Sequence, residues 1–156
     1  MKFLATVAAL GLSAVVSGCA TVDTNAQNEL VQIHDFAGKT KAQICGAARD
    51  WVALNFKDSK AVVEVYDLER GKLIGKGNMT LAGFAGTPQR IGFTMTADCK
   101  DGKFRSSWND FTFMYQGTAY PLKEDSMNKL LSSSITEAKK LDASMTAYIA
   151  GGAKDF

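Results

Sequence analysis

From Arg90 to Gln116 the chain reads RIGFTMTADCKDGKFRSSWNDFTFMYQ, two runs of alternating apolar and polar residues divided by Asp101-Gly102. An Asp-Gly pair tolerates the positive φ angles that a two-residue hairpin turn requires. With the turn placed there, position 99 faces 104, 97 faces 106 and 95 faces 108. Side chains alternate between the faces of a strand. The register therefore gathers Ile91, Phe93, Met95, Ala97 and Cys99 with Phe104, Ser106 and Trp108 on one face, and Thr94, Thr96, Asp98, Arg105, Ser107 and Asn109 on the other. A hairpin that is apolar on one side only needs a cover for that side. Past Asn109 the apolar phase moves to Phe111 and Phe113, which predicts a bulge near Asn109 or Asp110.

The remaining segments supply more strands and the cover. ELVQIHDF, residues 29–36, alternates Val31 and Ile33 against Gln32 and His34, the pattern of a half-buried strand. TKAQICGAARDWVALNF follows, with Thr40 and Gln43 at capping-box spacing and Ile44, Ala48, Trp51 and Val52 at helical intervals, an amphipathic helix of about four turns. AVVEVYDL and KLIGKGNMTL flank Glu69-Arg70-Gly71 as a second hairpin. In its second strand Leu73, Gly75, Gly77, Met79 and Leu81 share a face, and the glycines there would let a helix approach closely. Toward the end, Met127, Leu130, Leu131, Ile135, Ala138, Leu141, Met145, Tyr148 and Ile149 form one helical stripe. Ser132-Ser133-Ser134 is poor helix material, and Ser134 with Glu137 repeats the capping spacing, so both one helix and two joined at the serines fit the pattern. Gly151 and Gly152 stop it, leaving 151–156 as a tail.

The order is strand, helix, four strands, helix, which predicts an α+β domain over 29–150: an antiparallel sheet of about five strands with the helices on one face. Three stretches together, TKAQICGAARDWVALNF, VVEVYDLERGKLIGKGN and DGKFRSSWNDFTF, resemble a bacterial domain of unknown function described as having a TATA-binding-protein-like fold. The resemblance spans roughly residues 29–115 and rests on the Trp-containing helix, Gly75-Lys76-Gly77 and the run from Asp101 to Arg105. It implies a fold and carries no catalytic residue with it.

Ahead of the domain, Lys2 precedes an apolar stretch from Phe3 to Val16, and small residues Ser17, Gly18 and Ala20 surround Cys19. That is the order of a secretory leader. Fourteen residues make about 21 Å of helix, short of the roughly 30 Å hydrocarbon layer. The ending Val16-Ser17-Gly18-Cys19 resembles the lipobox of bacterial lipoproteins. The resemblance implies that 1–18 is removed and that Cys19 becomes an acylated first residue, palmitate being a typical chain, with 19–28 as tether. Two or three acyl chains hold a protein firmly to a bilayer where one holds it marginally. Residue 20 is Ala and not Asp, so the same resemblance implies the outer membrane, with the domain in the periplasm.

Without the leader 138 residues remain, enough for one domain with a real core. Lys2 leaves with it, so 17 basic residues face 16 acidic ones. That near balance gives no reason to expect nucleic acid as a partner. Cys45 and Cys99 are then left as a pair in an oxidising compartment. A disulfide between them and two buried reduced thiols are both consistent with the sequence; a bridge would contribute up to about 4 kcal/mol.

Candidates for chemistry are few. His34 is the single histidine, and Asp35 beside it on a strand points to the other face, so the two cannot form a relay. An exposed or hydrogen-bonded strand histidine is expected instead. No zinc-site spacing, nucleophile elbow or phosphate-loop order of residues occurs, and Asp98 with Asp101 lacks calcium-loop spacing, so no metal or cofactor is expected. Trp51 and Trp108 are expected in the core. The donor-rich set Thr94, Thr96, Arg105, Ser107 and Asn109 is the candidate binding face, with a merely solvated sheet face as its bland alternative. The expected function is a non-enzymatic envelope module that binds another envelope protein or a small polar ligand. The competing reading is a hydrolase or transferase using carboxylates such as Glu64 and Asp110 from separate strands.

Overall fold

Gly102 takes φ 71° at the tip of the central hairpin, and from it strands β4 (Pro88–Lys100) and β5 (Lys103–Tyr115) run out side by side. The computed structural model describes residues 28–56, 62–82, 86–122 and 124–151. Cys99 pairs with Phe104, Ala97 with Ser106 and Met95 with Trp108, the register the Asp-Gly turn dictates. One extra residue in β5, Asp110 at φ 51°, shifts the pairing between Gly92 and Thr94. This bulge returns Phe111 to the buried side that Trp108 occupies. A polar residue there tolerates the left-handed conformation better than a β-branched one would.

Strand β3 (Lys72–Ala82) pairs along the free edge of β4, and β2 (Val62–Asp67) along β3. Strand β1 (Leu30–Asp35) pairs with the other edge of β5. The sheet order is β1-β5-β4-β3-β2, all antiparallel, and a sixth strand, β6 (Thr118–Pro121), turns back on β5 beyond β1. The expectation of about five strands missed β6. It is four residues long and exposed throughout, so it has no burial pattern to betray it.

Two helices cover one face. Helix α1 (Lys41–Asn55) starts with the reciprocal cap of Thr40 and Gln43: Gln43 N–H donates to Thr40 Oγ1 at 3.3 Å, and Thr40 N–H to Gln43 Oε1 at 2.9 Å. Asp101 in the hairpin turn accepts a further bond from Lys41 N–H at 2.7 Å. Helix α2 (Glu124–Gly151) is one helix and not two. Its serines are absorbed by bonds to the preceding turn, from Ser134 Oγ to Leu130 O at 2.8 Å and from Ser132 Oγ to Lys129 O at 3.0 Å. Ser134 is therefore a buried mid-helix residue and not a cap. The side chain of Met127 lies outside the described residues. No described helix is long and apolar enough to cross a membrane.

Between helices and sheet an aromatic file runs Trp51, Phe56, Phe93, Trp108, with successive ring centroids 5.7, 5.6 and 5.3 Å apart. Leu73, Ile91, Met95, Phe104, Met145 and Ile149 complete the centre of the core. Burying each large apolar side chain contributes about 1.5–3 kcal/mol. A disulfide joins Cys45 of α1 to Cys99 of β4. Gly77 makes room within the sheet, where an added Cβ would lie 2.6 Å from the Phe93 ring. The neighbour it accommodates is thus a ring from β4, not the helix backbone the sequence suggested.

Strand β1 corrects another expectation. Its apolar Val31 and Ile33 lie on the uncovered side, Ile33 being 38% exposed, while Leu30, Gln32 and His34 face the helices. The leader, Cys19, the tether as far as residue 27 and the tail from 152 lie outside the described residues.

Candidate functional site

Polar side chains collect in two places, one on each side of β5. On the covered side Asp142, from the inward stripe of α2, is 1% exposed. Its Oδ1 accepts hydrogen bonds from Ser106 Oγ and, at 3.3 Å, from Trp108 Nε1. Its Oδ2 accepts one from His34 Nε2 at 2.8 Å. A buried carboxylate is tolerated only when donors surround it. Here three donors from two strands do so, which explains why β1 turns His34 inward. Trp51 Nε1 similarly donates to Ser144 Oγ at 3.2 Å.

Asp, His and Ser meet here, but in the wrong order for nucleophilic catalysis. A serine is activated when its hydroxyl donates to a histidine base that the carboxylate orients. Ser106 is fully buried and donates to the carboxylate itself. The arrangement clamps α2 onto β1 and β5. Sequence reasoning left His34 as either an exposed or a hydrogen-bonded strand residue, of which the second holds, and it missed Asp142. Its available signal was position, four residues after Ala138 and three before Met145 on the apolar stripe.

The other side of the sheet carries Thr94, Thr96, Arg105, Ser107 and Asn109, and no described helix lies over it. Cross-strand rows define its layout. Lys72, Asp98 and Arg105 align in one row, Ile74, Thr96 and Ser107 in the next, then Lys76, Thr94 and Asn109, then Asn78, Gly92 and Thr112. Ser107, only 6% exposed, donates to Glu29 Oε1. Arg105 Nη1 lies 3.4 Å from Asp98 Oδ2, and Lys72 Nζ 3.4 Å from Asp98 Oδ1. Lys76 Nζ reaches Glu64 Oε1 at 3.1 Å. So the five residues expected to share a face do share it, with Ser107 and Arg105 already engaged inside the protein.

Other candidates are dispersed. Glu64 sits at a bulge of the outer strand β2 and Asp110 at the bulge of β5, with β3 and β4 between them. Three strand spacings amount to about 14 Å, too far for two carboxylates to act on one bond. Asp98 is held by its two cations, and Asp101 serves the cap of α1. Among the described residues no group of three or more His, Cys, Asp or Glu side chains is placed to hold a metal ion. A notch lined by Val52, Phe56, Gly75, Gly77, Phe93 and Met95 offers about 10 Å³, space for one water.

The model of a family described as "Domain of unknown function (DUF4468) with TBP-like fold" matches residues 32–114. Similar crystal structures include the following two. A TBP-like protein from Parabacteroides distasonis ATCC 8503 aligns with TM-score 0.66 at 11% identity, covering 80% of this chain and 94% of that one. A DUF4468 family protein from Bacteroides ovatus ATCC 8483 aligns with TM-score 0.64 at 16% identity, covering 86% and 93%. At such identities the likeness speaks to fold alone. No curated protein matches the chain.

Proposed function

Since the chain belongs to the DUF4468 family of domains with a TBP-like fold, whose description carries no activity, we propose from its own residues that it is a non-enzymatic binding module. It is held to the bacterial envelope by acyl chains on Cys19 and takes a polar partner on the uncovered face of its sheet. The observation that carries the binding reading is the contrast across β5. The chemically suggestive trio of His34, Ser106 and Asp142 is closed on itself in the core, whereas Thr94 and Thr96 lie half-buried on the face that no described helix covers. The anchor reading rests on the leader and on Val16-Ser17-Gly18-Cys19. It places the domain at the outer membrane, facing the periplasm.

Two measurements test this function. Mass spectrometry of the protein from cells is expected to find an amino terminus at Cys19 carrying fatty acyl groups; an unmodified chain beginning at Met1 would remove the anchor. Immobilised protein carrying Arg105→Ala and Thr96→Val should capture less envelope material than the unaltered protein, with its unfolding midpoint nearly unchanged. Equal capture by both excludes this face.

A further inference from the structure

The two ends of the sheet differ in charge. At the end closed by the β4–β5 turn, Asp35, Lys103 and Lys100 align across the strands, and Asp98, Lys72 and Asp67 align beside them. At the other end β5 and β6 form a hairpin, and residues 111–122, FTFMYQGTAYPL, include no charged residue. Ala82 pairs with Pro88, which brings the β3–β4 connection to this same end, and residues 77–89 are uncharged as well. In a chain that is 22% charged, two such runs meeting at one end are a local property and not an average one. A bond from Leu122 N–H to Phe111 O at 2.9 Å closes the base of the β5–β6 hairpin. Its tip extends four residues of β5 further, to Tyr115, about 13 Å of strand. The rings of Phe113 and Tyr115 stack with centroids 6.1 Å apart. Tyr120 pairs opposite Phe113, so all three rings share one face. Tyr115 is 53% and Tyr120 46% exposed. Arg90, paired with Met114 and exposed, stands one row behind the tip.

We propose that this uncharged end is a lipid-contacting surface: the β5–β6 tip, led by Tyr115 and Tyr120, rests in the headgroup layer of the bilayer that holds the acyl chains of Cys19. The proposal rests on the anchor reading above and adds an orientation to it. The path of the chain supplies the first reason. Strand β1 runs from Leu30 opposite Trp108 to Asp35 opposite Lys103, so the chain enters it from the side of the tip. Nine peptide units separate Cys19 from Asn28 and reach at most about 32 Å. From Trp108 to Tyr115 is seven residues, about 23 Å of strand. The tether is therefore long enough for the tip to touch the membrane. Side-chain chemistry supplies the second reason. A charged group loses hydration on entering the boundary of the hydrocarbon, and the tip has no charge to desolvate. Tyrosine suits that layer, because its ring is apolar while its hydroxyl stays wet. Arg90, one row back, matches the charge of lipid phosphates. Affinity need not be high, since a tethered domain is held at high effective concentration beside the surface. A second copy is a poorer occupant, because β6 offers it an edge of only four residues. With the tip down the sheet stands on end, and Thr94 and Thr96 on its uncovered face stay open to a partner.

The test uses the isotopically labelled protein purified from cell membranes and placed in phosphatidylcholine nanodiscs doped with a lipid whose headgroup carries a gadolinium chelate. Amide signals of Tyr115, Gln116, Gly117 and Thr118 should broaden strongly, and those of Asp101, Gly102 and Lys103 at the far end should not. Tyr115→Ser with Tyr120→Ser should bring the tip's broadening down to the level of the far end. Gln116→Glu with Thr118→Glu, which keeps both rings and adds two charges, should do the same, so the test survives if the first variant fails to fold. Equal broadening at both ends in the unaltered protein, stronger broadening at the β4–β5 turn, or a tip effect that appears only when anionic phosphatidylglycerol is added would each overturn the proposal. Tip signals that shift with protein concentration and ignore the gadolinium lipid would overturn it in favour of a second copy. Mass spectrometry of the same sample separates this proposal from the reading beneath it. Acylated protein with no tip effect overturns the orientation alone, whereas a chain without acyl groups overturns the anchor and the orientation together.

Discussion

Ser106 and Ser107 are adjacent in β5, and each donates a hydrogen bond to a carboxylate, yet they belong to different halves of the molecule. Ser106 points into the helix-covered core and meets Asp142, which also holds Trp108 and His34. Ser107 points to the uncovered face and meets Glu29, just before β1. On the covered side Ser106, Trp108 and His34 all donate to Asp142, and the result is cohesion between α2 and the sheet. On the uncovered side pairing is partial, and Asn109 Oδ1 has no partner within the protein. Polar residues thus tie helix to sheet on one face and pair across the strand surface on the other.

Substitutions should separate the two faces in proportion to burial. Asp142→Ala removes one acceptor from three donors and should destabilise the fold by about 3–5 kcal/mol, the scale for breaking a buried ionic hydrogen-bonded group, as read by urea unfolding. A loss under about 1 kcal/mol would erase the contrast. Replacing Cys45 and Cys99 with serine, which unties α1 from β4, should lower stability by about 2–4 kcal/mol. A smaller loss would mean that packing alone holds α1. Ser106→Ala should remove about 2 kcal/mol and Ser107→Ala about 1 kcal/mol; comparing their thermal midpoints sharpens the contrast at two adjacent positions. Arg105→Ala with Thr96→Val should fall within about 0.5 kcal/mol of the unaltered protein. A large loss there would mean that the uncovered face is also structural.

The central hairpin was legible because its turn chemistry and its alternation agree. Asp101-Gly102 sets the register, and inward positions from Ile91 to Trp108 are apolar apart from Ser106. The bulge was legible for the same reason, since the apolar phase visibly slips between Trp108 and Phe111. Strand β1 was not. Alternation shows that a strand has two faces without showing which is inside, and Gln32 and His34 look like the outer one until Asp142 is known to wait opposite. That partner lies 108 residues from His34, and no local pattern links them. The candidate face was readable as a set of residues on one side of the sheet.

Site-specific photocrosslinking in intact cells probes the binding face most directly, with a photoreactive residue placed in turn at Thr96 on the uncovered face and at Lys139 on the exposed side of α2. Adducts formed from position 96 and absent from position 139 are the predicted result. Adducts from α2 with none from position 96 would contradict it, because the partner would then be meeting the helical side of the domain.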